Sequence, residues 1–139
     1  MALKGRITSI VSDVVRYSVN TKSARNFKVD LASWVNVSRR GNYNNVHDHP
    51  GAMRSGVYYV SVGKPDNDDP FNGRLQLFDP RNGVGMEGMR AERQLINPQP
   101  GLLVMFPSWL RHMVHPFFGD EERISIAFNV IVKGLVSES

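Results

Sequence analysis

The sequence predicts a mainly β fold, a jelly roll in which one N-terminal helix precedes seven or eight short strands. Three observations carry this reading. Ile7, Ile10, Val11, Val14 and Val15 recur at helical spacing near the N-terminus. From residue 26 onward, short runs of β-formers alternate with clusters of Gly, Pro, Asn and Asp. With 139 residues and 41% hydrophobic content, the chain is expected to form one domain, with the helix over about 6–20 and the barrel over about 26–133.

Each element has its own signal. The helix is amphipathic, although its β-branched residues lose χ1 freedom there. Phe27, Val29 and Leu31 alternate, and Trp34-Val35-Asn36-Val37 prolongs that strand. Arg39-Arg40-Gly41-Asn42 reads as a turn. Residues 55–62 form a β-rich run, and Leu75 and Leu77 alternate around Gln76. Later strands are expected at 94–96, 102–106, 112–115 and 123–132. Segments 63–70 and 80–88 carry no hydrophobic period and read as surface loops. Extended to 63–73 and 80–90, they are expected to form the rim that selects substrate.

Composition excludes several classes. No apolar run approaches the roughly 20 residues of a membrane span, and the N-terminus lacks the apolar stretch of a secretory signal. The absence of cysteine excludes disulfides, thiolate metal sites and a cysteine nucleophile. A reducing, intracellular setting, cytoplasmic in kind, is the expectation. The net charge of +4 is uneven. Residues 1–46 carry eight Lys/Arg against Asp13 and Asp30, a balance of +6 that leaves −2 over the rest. This third fits a solvated face better than a nucleic-acid surface, because no aromatic–basic interleaving of the kind that binds single strands appears.

All four histidines fall in two clusters, His47-Asp48-His49-Pro50 and His112-Met113-Val114-His115-Pro116. On a strand, residues i and i+2 share a face, so His47 and His49 can bind one ion while Asp48 points away. A bulge would instead turn Asp48 inward. Surface histidines in a loop are the plainer alternative. His112 and His115 have opposite parity, so one of them can join the first pair. His112 is preferred, because it shares a parity and register with Arg123 and Ser125 on the next strand, leaving His115 at an edge. An inward arginine in a small barrel needs an anion. Asp79 is a structural candidate, and a ligand carboxylate held by Arg123 and Ser125 is the functional one.

A family resemblance then extends this reading. Trp34-Val35-Asn36-Val37, Asn44-Asn45-Val46-His47-Asp48-His49-Pro50, Ser55-Gly56-Val57-Tyr58-Tyr59, Asp79-Pro80-Arg81, Phe106-Pro107-Ser108-Trp109-Leu110-Arg111-His112 and Arg123-Ile124-Ser125-Ile126-Ala127-Phe128-Asn129 resemble blocks of a known family. It comprises the small 2-oxoglutarate/Fe(II)-dependent oxygenases of phages and bacteria, within the prolyl-hydroxylase-like superfamily. The resemblance covers roughly residues 32–130. It implies a double-stranded β-helix, a cupin-like jelly roll, with Fe(II) held by His47, His49 and His112. It implies 2-oxoglutarate held through Arg123 and Ser125, with Asn36 and Tyr59 as further contacts and Tyr58 as the alternative to Tyr59. Where the wider superfamily has H-x-D or H-x-E, this chain has His49, which keeps zinc open as the metal.

The expected activity is hydroxylation of an unidentified substrate, a protein side chain, a nucleobase or a small molecule, with decarboxylation of 2-oxoglutarate to succinate. The rivals are a three-histidine cupin-type metalloenzyme working without 2-oxoglutarate and a non-catalytic jelly-roll binding module. No membrane partner is expected. A homodimer that buries an edge strand is expected by analogy.

Overall fold

The computed structural model describes residues 2–18, 27–81 and 94–134. Helix α1 spans Leu3–Ser18. Eight strands follow: β1 Lys28–Ser38, β2 Asn44–His47, β3 Arg54–Ser61, β4 Leu75–Leu77, β5 Gln94–Ile96, β6 Leu103–Pro107, β7 His112–Val114 and β8 Arg123–Lys133. They form two four-stranded sheets with orders β1-β8-β3-β6 and β2-β7-β4-β5, all pairs antiparallel. Successive strands alternate between the sheets at several points, which is the double-stranded β-helix.

The helix begins a turn earlier than expected. Leu3 lies four residues before Ile7 and so on the same face, and the Arg6 amide donates to the Ala2 carbonyl at 3.2 Å. The expected end near residue 20 lies outside the described residues. Ile7, Val11 and Val15 form the buried stripe, packed on Phe128 and Val130 of β8, with Leu31, Tyr58 and Met105 around them. Each such aliphatic side chain contributes about 1.5–3 kcal/mol on full burial. Gly56 sits under the Phe128 ring, where any Cβ would collide with it. The helix therefore covers the outer face of the first sheet and leaves the inner face to form a cavity.

Register defines what faces that cavity. Asn36 of β1 opposes Ser125 of β8, and Ser125 in turn opposes Tyr59 of β3. Three polar side chains thus form one row across three strands, because period-2 alternation turns them all inward. Ser38 opposes Arg123 in the next row. On the other side Ala32 opposes Asn129, which accepts a hydrogen bond from the Ser55 hydroxyl at 2.8 Å. Across the sandwich His47 opposes His112, and His112 opposes Leu77. The turn from β1 to β2 closes through Gly41 at φ 81° and an Asn42 amide to Arg39 carbonyl bond.

Candidate metal and co-substrate site

A cavity between the sheets is lined at one end by His47, His49, His112, Trp34 and Phe106, and at the other by Arg123, Ser125, Tyr59, Asn36 and Ser38. The three histidines offer nitrogen atoms that all lie within 4.8 Å of one another. Their ring centroids are 4.2 Å apart for His47 and His112, 4.9 Å for His47 and His49, and 5.2 Å for His49 and His112.

Two of these rings have their tautomer set by the backbone. His47 Nδ1 is 2.6 Å from the Asn45 carbonyl and His112 Nδ1 is 2.8 Å from the Leu110 carbonyl. A carbonyl only accepts, so Nδ1–H donates in both and Nε2 keeps its lone pair for a metal. Burial pushes His112 down to about 4, and His49 is lowered by burial and then by the neighbouring His47. His112 is therefore neutral at pH 7, the form a metal needs. Three neutral imidazoles suit iron, zinc, copper or nickel.

His49 reaches the cluster by a route the alternation argument did not anticipate. Strand β2 ends at His47, with a register shift between Asn44 and His47, so His49 is not on the strand. Its amide instead donates to the Ser108 carbonyl at 2.9 Å. The loop behind it turns through Gly51 at φ 86°, and the Ser108 hydroxyl binds the Ala52 carbonyl. The segment after β6 thus hangs the third histidine in place, with the Trp34 ring 6.0 Å away. Asp48 is exposed and borders an outer groove with Asp79, Trp109 and Arg111. The bulge that would turn it inward does not form.

The far end is drier. Arg123 is 7% exposed, and its Nε is buried with no hydrogen-bond partner. Among the described residues no carboxylate lies within ion-pair distance of it. Asp79, the structural candidate, pairs instead with Arg81 at 2.5 Å, which holds its carboxyl down at about 2. Burial lowers Arg123 from the ordinary arginine value, with Tyr59 opposing, yet guanidinium stays charged in proteins. Tyr59, 3% exposed, is pushed up to about 12 by burial, so its hydroxyl remains a donor at pH 7. A buried cation without a partner beside a protonated phenol, a serine hydroxyl and an amide is a receptor for an anion.

Residues 32–129 match the family described as "Putative 2OG-Fe(II) oxygenase". The chain belongs to that family. Among curated proteins none matches significantly. Among solved structures the fold is shared with a 2OG-Fe(II) oxygenase family oxidoreductase from Burkholderia pseudomallei, at 15% identity and TM-score 0.59 over 78% of this chain and 47% of that one. It is shared also with a Pseudomonas putida prolyl-4-hydroxylase, at 21% identity and TM-score 0.59 over 88% of this chain and 63% of that one. The chain thus spans just under half the length of the first of these structures and just under two thirds of the second.

This 2OG-Fe(II) oxygenase family uses Fe(II) and 2-oxoglutarate, and the three-histidine group is fit to hold the metal. The orphaned Arg123 Nε and the free His47 and His112 Nε2 atoms agree with that pair of cofactors. Of the other expectations, the shared register and the rim loop need correction, whereas His115 outside the cluster and Tyr59 inside the cavity agree with what the sequence suggested. Strands β7 and β8 lie in opposite sheets, so His112 shares no register with Arg123 and meets it across the cavity. His115 is outside the cluster, its Nε2 2.7 Å from the Gln76 side-chain oxygen. Tyr58 faces α1, leaving Tyr59 inside. Loop 63–73 does not line the cavity. Most of loop 80–90 lies outside the described residues. Phe106, 4.6 Å from the His112 ring, and Phe117 under Arg123 escaped the sequence reading, since an isolated phenylalanine reads only as core.

Proposed function

We propose that the protein is an Fe(II)- and 2-oxoglutarate-dependent hydroxylase-type dioxygenase in which His47, His49 and His112 hold the metal and Arg123 holds the co-substrate. One observation carries the reading: a histidine triad and a buried unpaired arginine share one cavity. When bound, the pair of cofactors would supply the oxidation with dioxygen as the oxidant: one oxygen atom would end in succinate as 2-oxoglutarate loses CO2, and the other would enter a substrate C–H bond as a hydroxyl.

The chain's own residues position and exclude. Arg123 would hold the far carboxylate of 2-oxoglutarate, and the protonated Tyr59 and Ser125 hydroxyls would donate to the same end. Asn36, in the same row, offers its amide to the co-substrate. Phe106, Leu75 and Phe128 line the cavity and limit water. Because imidazole ligands carry no charge, His47, His49 and His112 would leave a bound dipositive metal its full charge toward an anionic 2-oxo acid. No side chain needs to act as general base. The substrate approaches the metal end, where Trp34 is 40% exposed.

The test is an anaerobic titration of metal-free protein with Fe(II) and then 2-oxoglutarate, following the visible charge-transfer band of a chelated 2-oxo acid. A band that requires both, and is lost in His112→Ala and Arg123→Ala, is the expected result. Iron binding without a band would indicate a three-histidine enzyme that works without 2-oxoglutarate. No metal binding would leave a jelly-roll binding module.

A further inference from the structure

Arg123 owes its position to a seat that no cavity-lining residue provides. Its guanidinium carbon lies 5.2 Å from the centroid of the Phe117 ring, and Phe117 is 1% exposed. Three glycines pack around this pair. A Cβ on Gly73 would lie 2.5 Å from Arg123 Nη1 and 3.0 Å from Phe117 Cδ2. On Gly63 it would meet Phe117 Cζ at 2.8 Å and Arg123 Cγ at 3.3 Å, and on Gly119 it would meet Phe117 Cζ at 2.6 Å. Gly63 and Gly73 also take φ of 63° and 65°, where side chains are disfavoured.

The seat is pinned from both sides. The Gly73 amide donates to the Pro116 carbonyl at 3.0 Å. The Asn72 side chain, 7% exposed, accepts from the Phe118 amide at 2.8 Å and donates to the Phe118 carbonyl at 2.9 Å. The segment carrying Phe117 is thereby fixed to the loop carrying Gly73. A ring face attracts guanidinium without neutralising it, whereas a carboxylate there would consume its charge.

We propose that Phe117 and Gly73 are positioning residues that select the co-substrate: they hold Arg123 unpaired and aimed into the cavity, so that the site prefers a 2-oxo acid bearing a second carboxylate. This rests on the reading of Arg123 as the carboxylate anchor. Phe117 supplies the attractive face. Gly73 leaves the space for Nη1, and a methyl group there displaces the guanidinium, the movable end of a flexible side chain.

The test measures the affinity of Fe(II)-loaded protein, without oxygen, for 2-oxoglutarate and for 2-oxobutanoate, which lacks the second carboxylate. Wild type should prefer 2-oxoglutarate by on the order of 100-fold, as for other buried charge pairs. Gly73→Ala and Phe117→Leu should each cut that preference by about tenfold or more, since a displacement near 1 Å suffices for such losses. Affinity for 2-oxobutanoate and for Fe(II) should stay within about twofold of wild type, because neither contacts Arg123. If Phe117→Leu does not fold, Gly73→Ala decides. An unchanged preference in the folded variants would overturn the inference and leave Arg123 as anchor. Equal weakening for both acids, or loss of fold in both variants, would also overturn it, reducing the seat to structure. Absence of any preference in wild type would instead overturn the reading of Arg123 itself.

Discussion

The two ends of the cavity are built on opposite principles. At the metal end, three side chains arrive from separate backbone segments: the end of β2, the loop beyond it and the start of β7. Two are oriented by bonds to carbonyls only two residues away, and His47 and His49 remain half-buried. At the other end, Arg123 and Ser125 stand on one long strand, with Asn36 and Tyr59 beside them in register. Local hydrogen bonds suffice to orient an imidazole, because the ion itself completes the geometry. A buried cation needs a rigid surround before its anion arrives, since every disordered alternative would let it find water or a carboxylate. The metal end is thus oriented by short local bonds, and the arginine end by strand register and burial.

Substitutions separate the two. His112→Ala leaves two ligands and should lower Fe(II) affinity by at least about 100-fold, since even the outer partners of ligands are worth 10–100-fold; metal titration checks this. Arg123→Ala should leave Fe(II) affinity unchanged and weaken 2-oxoglutarate by about 2–5 kcal/mol. Calorimetry on the two ligands in turn would merge the ends if both affinities fell together. In the metal-free protein, Arg123→Met should be neutral or stabilising, because it removes an unpaired buried charge while keeping volume. A clear drop in its melting temperature would mean that the cation has a partner within the fold.

Acid should act on the metal end. The folded His112 value of about 4 lies below its ordinary 6.5. Between those values the unfolded chain binds more protons than the folded one, so stability must rise with pH there and be lost as pH falls from 6.5 toward 4. Chemical unfolding of the metal-free protein at pH 7.5 and 5 checks the sign, and His112→Gln should flatten the slope. The smallest effect expected is that of Asp48→Asn, which should leave Fe(II) affinity within about threefold, because the carboxylate is exposed and outside the cluster. A tenfold loss would return Asp48 to the ligand set.

Much of this was legible because its signals are local. Helical spacing marks Ile7, Val11 and Val15 as a buried stripe, and the start at Leu3 was missed only because the stripe was counted from Ile7. Inward parity on β8 links Arg123 to Ser125 whatever the neighbouring strand. His49 was assigned correctly to the cluster by an argument that fails, since it lies beyond the strand and depends on Ser108, 59 residues later. Phe117 and the glycines around it left no readable pattern: Gly63, Gly73 and Gly119 are ordinary loop glycines until the chain brings them to one ring.

By itself, the sequence determined the class of fold, the residue types of the site and the inward set of each long strand, because periodicity and donor chemistry act over a few neighbouring residues. Tertiary structure alone decided that β7 and β8 face each other from opposite sheets, that Asp48 turns outward and that Asp79 pairs with Arg81 instead of Arg123. It also left Arg123 buried on Phe117 without a counter-ion among the described residues. These are matters of which distant segments pack together, and packing depends on the closure of the whole barrel rather than on any short stretch of chain.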